Sequence, residues 1–272
     1  MRPLFIDSPS GRIFGVYFPP AASVSKDVSV LYVPPFAEEM NRSRRMAALQ
    51  ARAFAGLGCG TLLLDLFGTG DSAGDFRDGS VAHWLDDIAA AAAWLRAQGG
   101  ASLALWGLRF GGLLAAAAAT RLSDVKYLLL WQPVTDGKAM LTQFLRIRVA
   151  ASMSGGAKGE TTSELRARLS AGSSIEVAGY EIAPRLAEAL DGLRLADCRL
   201  APGTHVDWLE VSEQASAEIL PAGRRVVAKW REENATVATS SVVGDPFWAV
   251  QETTVVTGLV TASAEALGVR LS

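Results

Sequence analysis

The chain is poor in the residues on which much enzyme chemistry rests: its 272 residues include two histidines, His83 and His205, and two cysteines, Cys59 and Cys198. The cysteines lie far apart and show neither CxxC nor metal-ligand spacing, which excludes a disulfide framework. Two unpaired core thiols in a reduced, cytoplasmic compartment are the expected state, and no cofactor or metal site is expected. Charge of one sign is also lacking, since the net charge is −2, so nothing attracts the chain generally to nucleic acid or anionic lipid. Asp86, Asp87, Arg96 and Arg121 interrupt the longest alanine-rich runs, which argues against membrane insertion. The stretch Met1 to Asp7 does not read as a signal peptide, and no internal repeat emerges. What is abundant is apolar: 50% of residues are hydrophobic and 20% charged, a balance suited to a large two-sided core and unlike that of disordered chains.

The organising stretch is Ala101-Ser102-Leu103-Ala104-Leu105-Trp106-Gly107-Leu108-Arg109-Phe110-Gly111-Gly112, an apolar run that breaks at a glycine and re-opens into an alanine-rich helix. Strand, sharp turn, helix is the context of a nucleophile elbow, in which Gly-x-Ser-x-Gly places the serine at the apex. Here the apex residue is Arg109. A guanidinium stays protonated at working pH and has no nucleophilic lone pair, so it cannot attack a carbonyl.

The rest of the chain supplies an alternation of strands and helices. Leu4–Asp7 and Ile13–Phe18 flank Ser8-Pro9-Ser10-Gly11 as an antiparallel hairpin, and Val28–Val33 is a buried strand ending at Pro34-Pro35. A helix is predicted from Arg42 to Leu57 with Asn41 as its N-cap, leaving Pro34–Met40 as a loop. Thr61–Leu66 is the next strand, followed by the glycine-rich loop Phe67–Gly74, a helix from Val81 to Gln98, the elbow, and the strand Val125–Trp131. From about Asp136 to Pro184 the pattern lapses into glycine, serine and scattered charge, including Gly155-Gly156-Ala157-Lys158-Gly159. An inserted cap is one reading of that length and a partly disordered excursion the other. Strands resume at Val206–Val211 and Ala235–Val243, with a helix between them and a last helix from Thr254 to Leu267. The alternation predicts an α/β fold: one domain over residues 1–272, with an eight-stranded, mostly parallel sheet, helices on both faces and a cap after the sixth strand.

In this fold the triad runs nucleophile, acid, histidine, with the acid after a late strand and the histidine after the last. His83 falls inside the second helix and His205 precedes the seventh strand, so neither stands where the base belongs. The loop after the last strand reads Gly244-Asp245-Pro246-Phe247-Trp248, and Ser212-Glu213-Gln214 could supply an acid with no imidazole to orient. Gly68-Thr69-Gly70-Asp71-Ser72 lacks the following Gly-Lys of a phosphate loop. Arg42, Arg44 and Arg45 are either a solvated helix face or a docking patch, and Trp131, Trp208 and Trp248 either core residues or the walls of a sugar site.

Taken together, Pro34-Pro35-Phe36-Ala37-Glu38-Glu39-Met40-Asn41-Arg42-Ser43-Arg44-Arg45, Asp65-Leu66-Phe67-Gly68-Thr69-Gly70-Asp71-Ser72, Trp106-Gly107-Leu108-Arg109 and Gly244-Asp245-Pro246-Phe247-Trp248 resemble the exosortase A system-associated hydrolase 2 family. The resemblance spans nearly the whole chain. It implies an α/β-hydrolase fold and a cytoplasmic protein associated with bacterial exopolysaccharide biosynthesis, with a protein partner in that system. It also implies that arginine at the elbow is a family pattern.

Two readings stand for Arg109. It can hold a carboxylate, phosphate or sugar-acid group beside the Phe110 amide at the start of a helix, or it can close an internal salt bridge with Glu38 or Glu39. The candidate ligand-binding residues are Phe36, Glu38, Glu39, Arg109, Phe110, Asp245 and Trp248, around an anionic or sugar-derived small molecule. Hydrolysis of ester or acyl bonds by a non-standard apparatus and a non-catalytic role in export machinery are the alternatives.

Overall fold

The computed structural model describes residues 1–21, 26–153, 160–214 and 218–271. Its sheet contains β1 (Arg2–Ser8), β2 (Gly11–Phe18), β3 (Val28–Val33), β4 (Thr61–Leu64), β5 (Ser102–Leu108), β6 (Val125–Trp131), β9 (His205–Ser212) and β10 (Thr236–Val243), in the order β1-β2-β4-β3-β5-β6-β9-β10. The pairs β1·β2 and β2·β4 are antiparallel, and every other pairing in this sheet is parallel. Strands buried on both faces explain the apolar runs: in β6, Leu128 and Leu130 enter one core while Leu129 and Trp131 enter the other.

One core is covered by α2 (Val81–Ala97), α3 (Phe110–Ala119) and α7 (Pro221–Glu232), the other by α1 (Glu38–Gly56) and α8 (Thr257–Leu271). The apolar alternation decides these elements, and local chemistry trims their ends. Ser80 caps α2 by accepting the His83 N–H at 3.1 Å, and Pro221 opens α7 at a position where a missing N–H costs nothing. Among the described residues, no helix is long and apolar enough to cross a membrane.

The first helix corrects the sequence expectation. It begins at Glu38 rather than Arg42, because Ala37 takes φ 52° and turns the chain abruptly after β3. Asn41 is therefore inside the first turn, where its Nδ2 donates to Glu38 Oε2 at 3.1 Å instead of capping. Glu38 and Glu39 gain a place in that first turn, where a carboxylate suits the positive end of the helix.

Between β6 and β9 the chain forms α4 (Gly137–Met153), α5 (Thr162–Ser170), the hairpin β7 (Ile175–Val177) and β8 (Tyr180–Ile182), and α6 (Pro184–Asp191). Thr161 and Glu164 make a reciprocal capping box at the start of α5. Leu141, Leu145, Leu165, Leu186 and Leu190 are buried and join this segment to the main core. The glycine-rich stretch Gly155–Gly159 lies outside the described residues.

Candidate functional site

Backbone strain gathers at one end of the sheet. Ala37 after β3, Arg109 after β5 and Gln132 after β6 have φ of 52°, 55° and 43°, and these strands are neighbours in the sheet. Non-glycine residues in such conformations cost on the order of 1–3 kcal/mol each and cluster at functional sites. The Arg109 turn is tight because its flanking glycines let backbone meet backbone: a Cβ on Gly107 would fall 2.3 Å from the Gly111 carbonyl oxygen, and one on Gly111 2.1 Å from that of Val33. The Arg109 N–H donates to the Trp131 carbonyl at 2.9 Å, and its own carbonyl accepts from Val134 N at 3.0 Å.

That backbone presents an arginine side chain that is 22% exposed. Arg109 Nε donates to Glu39 Oε1 at 3.3 Å, and its Cζ lies 5.5 Å from the Trp248 ring centroid. Its Nη1 and Nη2 groups have no acceptor among the described residues. Burial raises the Glu39 carboxyl above its usual range, and the charge and hydrogen bond of Arg109 pull it partly back. Glu38 Oε2 accepts from the Tyr180 hydroxyl at 3.2 Å, which ties the first turn of α1 to β8. Burial, then the neighbouring Glu38 charge, pushes the Tyr180 hydroxyl up to about 12.

Glu38, Glu39, Arg109 and Trp248 border a cavity of about 300 Å³ whose other walls include Phe36 and Phe144. Arg109, Met140 and Gln143 also line a second cavity of about 210 Å³ that reaches Gln132, Trp208 and Glu210. Glu210 is 7% exposed and already committed, accepting from Trp208 Nε1 at 3.0 Å and Leu220 N at 2.9 Å. The guanidinium thus stands where two compartments of one cleft meet. Unspent donors beside an apolar wall can hold an anion, and no imidazole lines either compartment.

Of the residues expected at this site, Phe36, Glu38, Glu39, Arg109 and Trp248 line the larger cavity, and Phe110 and Asp245 do not. Phe110 begins α3 and turns into the core, 2% exposed, against Phe36 and Trp84. Asp245 is exposed to solvent in the loop after β10. Its neighbour Phe247 is 1% exposed and packs on Trp131 and Trp248 with centroids 6.1 and 5.0 Å away. An apolar ring is therefore sealed into the loop where the triad order places an imidazole. His83 lies on α2 with its ring edge against Phe67, and His205 opens β9 at the opposite end of the sheet, stacked on Tyr127. Trp131 is a core residue bonded to Ser263. Tyr180 was not foreseen, although Ala178-Gly179 between two short alternating segments is a hairpin signal. Among the described residues, no group of three or more His, Cys, Asp or Glu side chains is placed to hold a metal ion.

This architecture defines the class: the chain has the α/β-hydrolase fold. It is similar over 98% of its length to 98% of Est1E from Butyrivibrio proteoclasticus, solved with ferulic acid bound, at 17% identity and a TM-score of 0.68. DcsB, solved in complex with its substrate analogue, matches at 18% identity and a TM-score of 0.65, covering 100% of this chain and 99% of its own. XC6422 from Xanthomonas campestris, described as a serine hydrolase without a lid, matches at 17% identity and a TM-score of 0.59, covering 99% and 94%. Neither a family model nor a curated protein sequence matches the chain.

Proposed function

We propose that this hydrolase-fold protein binds an anionic or sugar-derived small molecule at Arg109 and does not carry out serine-hydrolase chemistry. The observation that supports it most is the apex residue itself: a cation with both Nη groups unspent stands where a serine nucleophile would, inside a cleft. Glu39 and Trp248 orient the guanidinium and leave its planar fork available for a carboxylate or phosphate. In this reading residues 1–272 are one domain, the segment between β6 and β9 is the cap over the cleft, and α4 and the β7–β8 turn supply the wall that selects the ligand's body. The resemblance to exosortase A system-associated hydrolases supports a cytoplasmic role in exopolysaccharide biosynthesis, with a protein partner there.

A calorimetric titration with uronic acids and their neutral parent sugars tests this. The acids bind, the neutral sugars bind more weakly, and Arg109→Ala weakens the acids about tenfold to a hundredfold, as expected for lost charge-assisted hydrogen bonds. Equal affinity of wild type and Arg109→Ala sinks the reading. Fluorophosphonate probes leave every serine unlabelled, and Arg109→Ser fails to hydrolyse a short p-nitrophenyl ester because no base stands beside the new hydroxyl. Saturable turnover by that variant reveals a base elsewhere.

One observation favours a second reading, hydrolysis by a non-standard apparatus. Glu39 is a carboxyl raised by burial within a cleft, the direction of shift a general acid requires. Turnover of any ester by wild type, abolished in Glu39→Gln with binding retained, would establish it.

A further inference from the structure

The cavity of about 300 Å³ beside Arg109 is walled mainly by carbon: Phe36, Met140, Phe144, Ile147, Ala178 and Trp248. Met140, Phe144 and Ile147 fall at i, i+4 and i+7 of α4 and so form one stripe, which the β7–β8 turn and the loops after β3 and β10 enclose. Ile147 is 49% exposed and Phe144 only partly buried, so apolar surface is left uncovered in the cleft. The volume equals roughly ten waters, room for one ring on a short linker.

Most polar groups on these walls already have partners. Glu38 accepts from the Asn41 amide and the Tyr180 hydroxyl, Arg42 donates to the Ala249 carbonyl, and Glu39 holds Arg109 Nε. Among the described residues this leaves chiefly the Arg109 Nη groups and the amide of Gln143, an exposed residue of α4, to meet a ligand. A sugar acid fits that inventory badly, because its ring brings several hydroxyls to walls that cannot answer them. A phosphate dianion fits badly for a different reason. Across the two compartments Glu38, Glu39, Asp136 and Glu210 stand against Arg42, Arg109 and, from outside the walls, the Arg194 that pairs with Asp136. Carboxyl groups outnumber guanidinium groups, so a second negative charge on the ligand meets net repulsion.

We propose, on the reading that Arg109 holds an anion, that the ligand of this cleft is a monocarboxylate with a single aromatic ring as its body. The carboxylate accepts from the Arg109 Nη groups, and the ring lies against Phe144, Ile147 and Trp248. An aromatic body suits walls that already pack edge to face, as Phe36 and Phe144 do with centroids 5.2 Å apart. Buried apolar area supplies the affinity, and the planar guanidinium fixes the orientation.

Phenylpropionate is the probe, titrated calorimetrically against wild type, with phenylpropanol, glucuronate and phenyl phosphate for comparison at a pH where the phosphate is a dianion. Phenylpropionate binds about tenfold or more tightly than each of the other three, and Arg109→Ala weakens it about tenfold, as the loss of charge-assisted bonds implies. Ile147→Ser, at a half-exposed helix position that the fold does not depend on, weakens phenylpropionate about threefold to tenfold and leaves glucuronate unchanged. Glucuronate or phenyl phosphate binding as tightly as phenylpropionate, with that binding lost in Arg109→Ala, overturns the aromatic monocarboxylate and leaves the anion reading standing. Phenylpropionate binding undiminished in Ile147→Ser does the same. Phenylpropionate affinity unchanged in Arg109→Ala, or no binding of any of the three anions, overturns both.

Discussion

β3 and β5 lie side by side, and each enters its helix through one residue with nearly the same backbone: Ala37 at φ 52°, ψ −128° and Arg109 at φ 55°, ψ −119°. Neither α1 nor α3 has a side-chain cap, so the first-turn N–H groups of two adjacent helices emerge at one end of the sheet. The side chains then diverge. Ala37 is 3% exposed and contributes only a methyl group, whereas Arg109 carries a guanidinium into the cleft. The strained turn thus belongs to the fold, and the chemistry belongs to whichever side chain the turn displays.

The sharpest way to break this pairing is to force the corners apart. Gly111 lies against the Val33 and Pro34 carbonyls of the first corner, so Gly111→Ala should cost about 3 kcal/mol or more in a urea melt. An unchanged melt would show that the two turns are not in contact.

A smaller effect separates the corners by charge. Burial holds the Glu39 carboxyl above its ordinary value, so folding favours its protonated form. That contribution is complete below the ordinary carboxylate value of about 4.3 and is lost as the pH rises through the raised folded value. Arg109 limits the loss by lowering that value. Arg109→Ala should therefore melt close to wild type in acid and fall progressively behind as the pH rises past that window, and Glu39→Gln should erase the difference. Parallel melting curves of wild type and Arg109→Ala across pH would mean that Glu39 does not feel the guanidinium.

The smallest effect is a gain. Ala37→Gly relieves strain at a corner whose side chain has no other duty, and it should stabilise by no more than about 1 kcal/mol once the added freedom of the unfolded chain is counted. A loss of stability there would show that the methyl group matters more than the turn.

The sheet was legible because each strand is an apolar run bounded by turn residues, and the elbow because Gly107 and Gly111 bracket it at the required spacing. The start of α1 was not legible. Ala37 is no capping residue, and its positive φ comes from the corner between β3 and α1 rather than from any local preference. Within residues 136–184, the Thr161–Glu164 box, Pro184 and the Ala178-Gly179 turn carried helix and hairpin signals that the surrounding glycine and serine obscured. At the site, sequence order brought Glu39 and Trp248 to Arg109. It could not tell that Phe110 turns into the core and Asp245 out to water, since those directions depend on tertiary packing.

Phe247 decides what the loop beside the elbow can accept. A histidine at its position would set a polar ring against Trp131 and Trp248 in a space now filled by an apolar one, at a cost on the order of 1–3 kcal/mol, and would recover nothing while Arg109 occupies the apex. A serine at the apex would strand Glu39 and find no base. Each substitution is a loss by itself, and only their combination with a well-placed carboxylate would build a triad. The packing around Phe247 therefore sets a threshold: no single substitution on the way to a triad is favourable alone, so the steps have to come together.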